Sequence, residues 1–153
     1  MKAAVHYRYG SPEFIQIAEL PRRQPGQNGV LIRVSYATVN RTDAGFRSAK
    51  YFISRLFSGL FRPKNPVLGC EFSGMVDSAG EAVSRFKPGD QVYGFNDSRF
   101  GAHAEYMCLP EDAALCAVPQ GMSLRTAACL SEGGHYVLRN LRAAGIAPGH
   151  GLR

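Results

Sequence analysis

Val30-Leu31-Ile32-Arg33-Val34-Ser35-Tyr36 is an apolar run broken by one arginine and one serine, and Pro25-Gly26-Gln27-Asn28-Gly29 punctuates it upstream. A run this short and this apolar reads as a strand whose two faces are both largely covered. Working outward, residues 2–8, 14–20, 73–79, 91–95, 104–109 and 114–118 are further short runs bounded by turn-forming residues. Gly10-Ser11-Pro12 separates the first two. Many short strands with turn signals between them predict a mainly β fold with few helices, closed as a barrel or folded-over sheet.

Helical signals are fewer. Asn40 is placed to cap a short helix through Arg47, with Asp43 near the positive end of its dipole. Over residues 51–61, Phe52, Ile53, Leu56, Phe57, Leu60 and Phe61 recur at helical spacing and give one apolar face. Ser123 caps a turn ending near Leu130, and residues 134–144 read as a helix with Val137, Leu138 and Leu141 on one side and Gly145 as its stop.

Composition sets the class. The 153 residues, 45% hydrophobic and 20% charged, suit one domain with a core of its own. No apolar run approaches the ~20 residues of a membrane span. The opening Met1-Lys2-Ala3-Ala4-Val5-His6 lacks a signal-peptide pattern, so a cytoplasmic protein is expected. Cys70, Cys108, Cys116 and Cys129 show no C-x-x-C spacing and are expected as buried free thiols. Most of the net charge of +6 lies in Arg41, Arg47, Lys50, Arg55, Arg62 and Lys64, set against Asp43 alone. Such a cluster is a solvated basic face or a phosphate-attracting one. With no zinc-finger or RNP-like motif beside it, nucleic acid is not the expected partner.

Several motifs follow one another along the chain: Lys2-Ala3-Ala4-Val5, Val39-Asn40-Arg41-Thr42-Asp43, Gly69-Cys70-Glu71-Phe72-Ser73-Gly74, Phe86-Lys87-Pro88-Gly89-Asp90-Gln91-Val92 and Gly101-Ala102-His103-Ala104-Glu105-Tyr106. In this order and spacing they resemble the medium-chain dehydrogenase/reductase superfamily. The resemblance implies a GroES-like β-barrel catalytic domain over residues 1–153. In complete members a Rossmann domain follows and binds NAD(H) or NADP(H) in the cleft between the two. The sequence holds no G-x-G-x-x-G and ends at Pro148-Gly149-His150-Gly151-Leu152-Arg153, where that domain would begin. The expectation is a truncated or orphaned catalytic domain, inactive alone, with no cofactor of its own and NADPH implied for a complete relative.

Zinc alcohol dehydrogenases share the superfamily, and catalytic zinc needs three protein ligands. Asn40 stands where they place a cysteine, Cys70 where they place the histidine of Gly-His-Glu, and the third position falls near Gly133 in Glu132-Gly133-Gly134-His135. Only Cys70 and Glu71 keep ligating atoms there, with His135 displaced, and the lobe of four structural-zinc cysteines is absent between Val92 and Ala104. No metal is expected. The pattern instead resembles the zinc-independent quinone oxidoreductase and enoyl reductase type, which passes hydride from NADPH to a conjugated carbonyl.

From that resemblance Asn40 is a candidate contact to nicotinamide and substrate, or simply a helix cap. Arg41 is a candidate cofactor contact near the pyrophosphate. Thr42 is a candidate hydrogen-bond donor or proton relay, or a partial cap. Tyr51, Phe52, Phe95 and Phe100 are candidates for the substrate pocket, and Asp43, His103 and His135 are expected to be structural or exposed. A homodimer is expected, because the 134–144 helix and the 52–60 face would lack cover, and a partner could donate a Rossmann domain in trans. The alternative is a non-enzymatic binding or association module that reuses the barrel.

Overall fold

A computed structural model describes residues 1–50 and 52–146. Strands β1 (Lys2–Val5) and β2 (Gln16–Glu19) pair as an antiparallel ladder around a single 3-10 turn at Pro12–Phe14. The main sheet comprises β3 (Gly29–Ala37), β4 (Glu71–Ala79), β5 (Gln91–Phe95), β6 (Tyr106–Pro110) and β7 (Leu115–Ala117), in the order β6-β3-β4-β5-β7. Every ladder among the described residues is antiparallel, so they contain no βαβ unit. Isolated bridges from Ala3 to Ala104 and from Val5 to Val67 fasten the small ladder to the large sheet.

The sheet folds over one apolar core. Val30, Ile32, Phe72, Val76 and Val92 come from its central strands. Met107 and Leu109 on β6 and Leu115 on β7, the two outer strands, pack into the same core. No ladder joins β6 to β7 among the described residues, so closure is by side-chain packing. The Phe86-Lys87-Pro88-Gly89-Asp90 motif is the turn between β4 and β5. Phe86 is buried, Gly89 adopts φ +94°, and the Asp90 carboxylate accepts from Lys87 N–H at 2.9 Å.

The strand expected to be covered on both faces is so only in its first half. Val30, Leu31 and Ile32 are buried, while Ser35, Tyr36 and Ala37 are exposed. The exposed half begins where the ladder with β6 ends, at Arg33 facing Tyr106. Buried free thiols were also expected, but Cys116 and Cys129 are exposed and Cys108 half-buried, leaving only Cys70 in the interior. Cys116 lies on β7, an outer strand with one paired edge.

The described residues also form four helices: α1 (Arg41–Ser48), α2 (Phe52–Ser58), α3 (Leu124–Ala127) and α4 (Ser131–Ala143). Ser123 caps α3 as expected, and Ser73 Oγ on β4 donates to the Leu124 carbonyl at 2.6 Å to hold it on the sheet. Helix α2 stops at Ser58, where Gly59 turns the chain at φ +122°, so it is shorter than the expected 51–61. Helix α4 begins at Ser131 rather than at 134 and ends before Gly145, which adopts φ +65°. Among the described residues no helix is long and apolar enough to cross a membrane.

Candidate functional site

The site is organised by the start of α1. Asn40 is its N-cap, in extended conformation. The Asn40 Oδ1 accepts from Asp43 N–H at 3.1 Å, and the Asp43 Oδ2 accepts from Asn40 N–H at 3.2 Å. This reciprocal capping box settles the orientation of the Asn40 amide, with oxygen toward the helix and nitrogen away from it. Asp43 is 2% exposed, and its second oxygen accepts from Gly69 N–H at 2.9 Å. Gly69 itself has φ +92°, and a Cβ there would lie 2.5 Å from the His103 backbone nitrogen. A buried carboxylate therefore clamps α1 to the chain entering β4 and sets Cys70 and Glu71 beside Asn40.

His103 is held beneath the site. Its Nε2 donates to the Thr38 carbonyl at 2.8 Å and lies 3.9 Å from Asp43 Oδ2. A carbonyl only accepts, so the Nε2 carries a proton.

On its other side the Asn40 amide nitrogen meets the first turn of α4. It donates to Glu132 Oε2 at 2.5 Å and also faces Cys70 Sγ at 3.2 Å and Thr38 Oγ1 at 3.4 Å. The Thr42 hydroxyl donates to Glu132 Oε1 at 2.7 Å. Glu132 is held in turn. Its backbone N–H donates to Glu71 Oε1 at 2.9 Å, and the Thr38 hydroxyl donates to Glu71 Oε2 at 2.9 Å. The α4 N-cap, Leu130, offers no side-chain cap, so the buried Glu71 carboxylate takes that place at the positive end of the helix.

The Cys70 thiol is pushed up to about 12, chiefly by burial. The Asn40 hydrogen bond opposes the rise, while the Asp43, Glu132 and Glu71 carboxylates add to it. At neutral pH it is a protonated thiol, poorly suited to nucleophilic attack. Among the described residues no group of three or more His, Cys, Asp or Glu is placed to hold a metal ion.

The sequence-predicted residues separate into groups. Asn40 and Thr42 converge on Glu132, while Arg41 is exposed on α1. Phe95 is half-buried at the end of β5 and packs with Phe100, Leu68 and Cys70. The Phe100 ring is buried, 4.8 Å between centroids from that of Phe46. Phe52 is exposed on α2, and Tyr51 lies outside the described residues. Two members of the basic cluster are engaged internally: the Arg47 guanidinium donates to the Gly10 carbonyl and Arg55 stands over the Tyr9 ring at 5.4 Å.

Sequence reading passed over Glu132 and Thr38 and weighed Glu71 only as a residual metal ligand. The available signal was the acidic residue opening a helix opposite the Asn40 cap. One cavity of about 730 Å³ runs between Ile15, Ile17 and Val39, and another of about 880 Å³ is lined by Phe46, Phe57 and Phe100. Neither is lined by Asn40, Thr42 or Glu132.

Residues 26–120 match the alcohol dehydrogenase GroES-like domain family. A trans-enoyl reductase of Fusarium mangiferae is 33% identical over 133 residues, covering 87% of this chain and 32% of that protein. The quinone oxidoreductase of Coxiella burnetii superposes with a TM-score of 0.86 at 28% identity, covering 97% of this chain and 46% of that one. The Escherichia coli quinone oxidoreductase complexed with NADPH superposes with a TM-score of 0.78 at 25% identity, covering 94% and 41%. The chain thus spans about a third of the curated relative and less than half of each solved chain.

Proposed function

Since the chain belongs to the alcohol dehydrogenase GroES-like domain family, within the medium-chain dehydrogenase/reductase superfamily, we propose that residues 1–153 form one substrate-side domain of a zinc-independent, NADPH-dependent quinone or enone reductase. The observation that carries this reading is the Asn40–Thr42 pair at the start of α1. Two short polar side chains are held there in fixed orientation beside a thiol that stays protonated. Such a pair orients reactants, and in carbonyl reduction the nicotinamide carries the hydride while the protein positions substrate and cofactor.

Zinc independence is supported by the chemistry of the donors. Asn40 and Gly133 offer no anionic ligand, which leaves Cys70, already engaged by the Asn40 N–H at 3.2 Å, as the one thiol at the three ligand positions. NADPH is favoured because it is bound in a solved relative, and Arg41, exposed one residue from Asn40, is the side chain offered to its phosphates. Phe52, with Phe95 and Phe100 behind the site, is the apolar side offered to substrate, and Tyr51 is retained with them from the sequence. A pyrophosphate site of the helix-N-terminus type needs a strand–helix unit, so activity requires a nucleotide-binding unit in cis or supplied by a partner in trans.

Titration of the purified chain with NADPH, alone and fused to the nucleotide-binding domain of a quinone oxidoreductase, tests this. The chain alone is expected to show no saturable turnover with quinones or enones. The fusion is expected to turn over and to lose most of that rate on Asn40→Ala. Full activity of the fusion with Asn40→Ala would refute the assignment, and turnover by the chain alone would refute the need for a second unit. Elemental analysis finding about one zinc per chain after dialysis would overturn the metal-free reading.

A second reading, an association module, is favoured by one observation. Phe52, Ile53, Leu56 and Phe57 on α2, and Tyr136, Val137 and Leu138 on α4, are all more than half exposed. A bare surface of that kind is an association surface in a soluble protein, and the homodimer is the simplest assembly that covers it.

A further inference from the structure

We propose that Glu132 is the positioning residue of the candidate site: its carboxylate, anchored by Glu71, takes the hydrogens of Asn40 and Thr42 and so fixes the direction in which both side chains face. The proposal rests on the reading that Asn40 and Thr42 meet the reactants, and it assigns a role to a residue that no motif of the chain marks.

The geometry supports a built device rather than a chance contact. Both carboxylate oxygens of Glu132 are used, one by each partner, at 2.5 and 2.7 Å. The Asn40 amide is pinned from both ends, its oxygen by Asp43 N–H and its nitrogen by Glu132, so neither rotation nor a flip is open to it. The Thr42 hydroxyl has one hydrogen, and Glu132 takes it, which leaves the oxygen lone pairs as the face Thr42 can present elsewhere. The backbone from which Glu132 extends is anchored while α4 is docked, because its N–H donates to Glu71, whose other oxygen accepts from Thr38. The result is a continuous polar path from Thr38, just past β3, through Glu71 on β4 to the first turn of α4 and back to α1. In such networks each member is ordered by the next.

The test reads the side chains directly in the isotope-labelled chain by NMR. In the wild type, the Asn40 side-chain N–H₂ pair should exchange slowly with water and Thr42 should show a single χ1 rotamer. In Glu132→Ala, Asn40 side-chain exchange should accelerate about tenfold or more, the order expected for losing a hydrogen bond to a charged group, and Thr42 should average among rotamers. Glu132→Gln keeps the shape and the helix start with a weaker, neutral acceptor, and should fall between the two. An unchanged backbone spectrum over the sheet establishes that the variants are folded. Asn40 and Thr42 signals that match the wild type in both variants would overturn the proposal. Because the readout needs neither cofactor nor turnover, it stands or falls separately from the reductase reading: a fusion inactive with NADPH leaves it untouched, and an active one does not rescue it.

Discussion

Asp43→Asn tests whether the clamp beneath the site works through charge and hydrogen bonding or only through packing. Asparagine fills nearly the same space, so a packing role would leave stability almost unchanged. The structure requires more. One Asp43 oxygen accepts from the Gly69 N–H and the other from the Asn40 N–H. An asparagine can face only one of these with its oxygen, and its amide hydrogens then oppose the other donor. Hydrogen bonds to a charged group are each worth about 1.5–3 kcal/mol. The Gly69 bond is buried and carries that full value, while the Asn40 bond, at a half-exposed helix start, is closer to the ~1 kcal/mol of an ordinary cap. Removing both with Asp43→Ala should therefore cost about 2.5–4 kcal/mol, and Asp43→Asn about 2 kcal/mol or more. With a urea m-value of about 2 kcal/mol/M, the midpoint should move down by roughly 1 M or more for Asn and further for Ala. Equilibrium urea unfolding followed by circular dichroism measures this, with m held constant as the check on two-state behaviour. An Asp43→Asn midpoint within about 0.25 M of the wild type would refute the clamp.

Three further outcomes are expected. In a thiol-titration assay at pH 8, Cys116 and Cys129 should react quickly and Cys70 only on unfolding. Because the folded thiol of Cys70 lies near 12 against an ordinary 9.0, the unfolded chain ionises first as pH rises. Its stabilising effect is thus complete below pH 9 and is lost between 9 and 12. Cys70→Ser should flatten the alkaline fall in urea midpoint across that window, and an unchanged slope would show that another group controls it. Light scattering should give a mass near twice that of one chain, since each buried Phe, Leu or Val contributes roughly 1.5–3 kcal/mol. The pair Phe57→Glu and Leu138→Glu should return a monomer, and a monomeric wild type at high micromolar concentration would rule the association out.

The strands were readable because each is short and bounded by residues that cannot continue it; β5, at Gln91–Phe95, falls where that short run was expected. Pairing was not readable, and so the exposed half of β3 was missed: nothing in Ser35-Tyr36-Ala37 says that β6 has already departed. The start of α4 was misplaced for a physical reason. Gly133 and Gly134 weaken a helix by about 1 kcal/mol each against alanine, and Leu130 offers no cap. The helix begins at Ser131 all the same, because Glu71, 61 residues upstream, takes the Glu132 N–H. Asn40 was identified by its motif, whereas Glu132 could be found only once the chain had brought it across 92 residues to Asn40.

That separation bears on the order in which the protein is put together and taken apart. Helix α4 buries none of its residues and is fastened mainly through its first turn. A segment so attached opens at a lower free energy than the sheet beneath it and behaves as its own cooperative unit. Its opening removes Glu132 from Asn40 and Thr42 while β3, β4 and the Asp43 clamp remain intact. The site should therefore exist in two settings, assembled and dismantled, within a population whose sheet is fully native. The fraction assembled would rise with anything that binds and steadies the bare faces of α4.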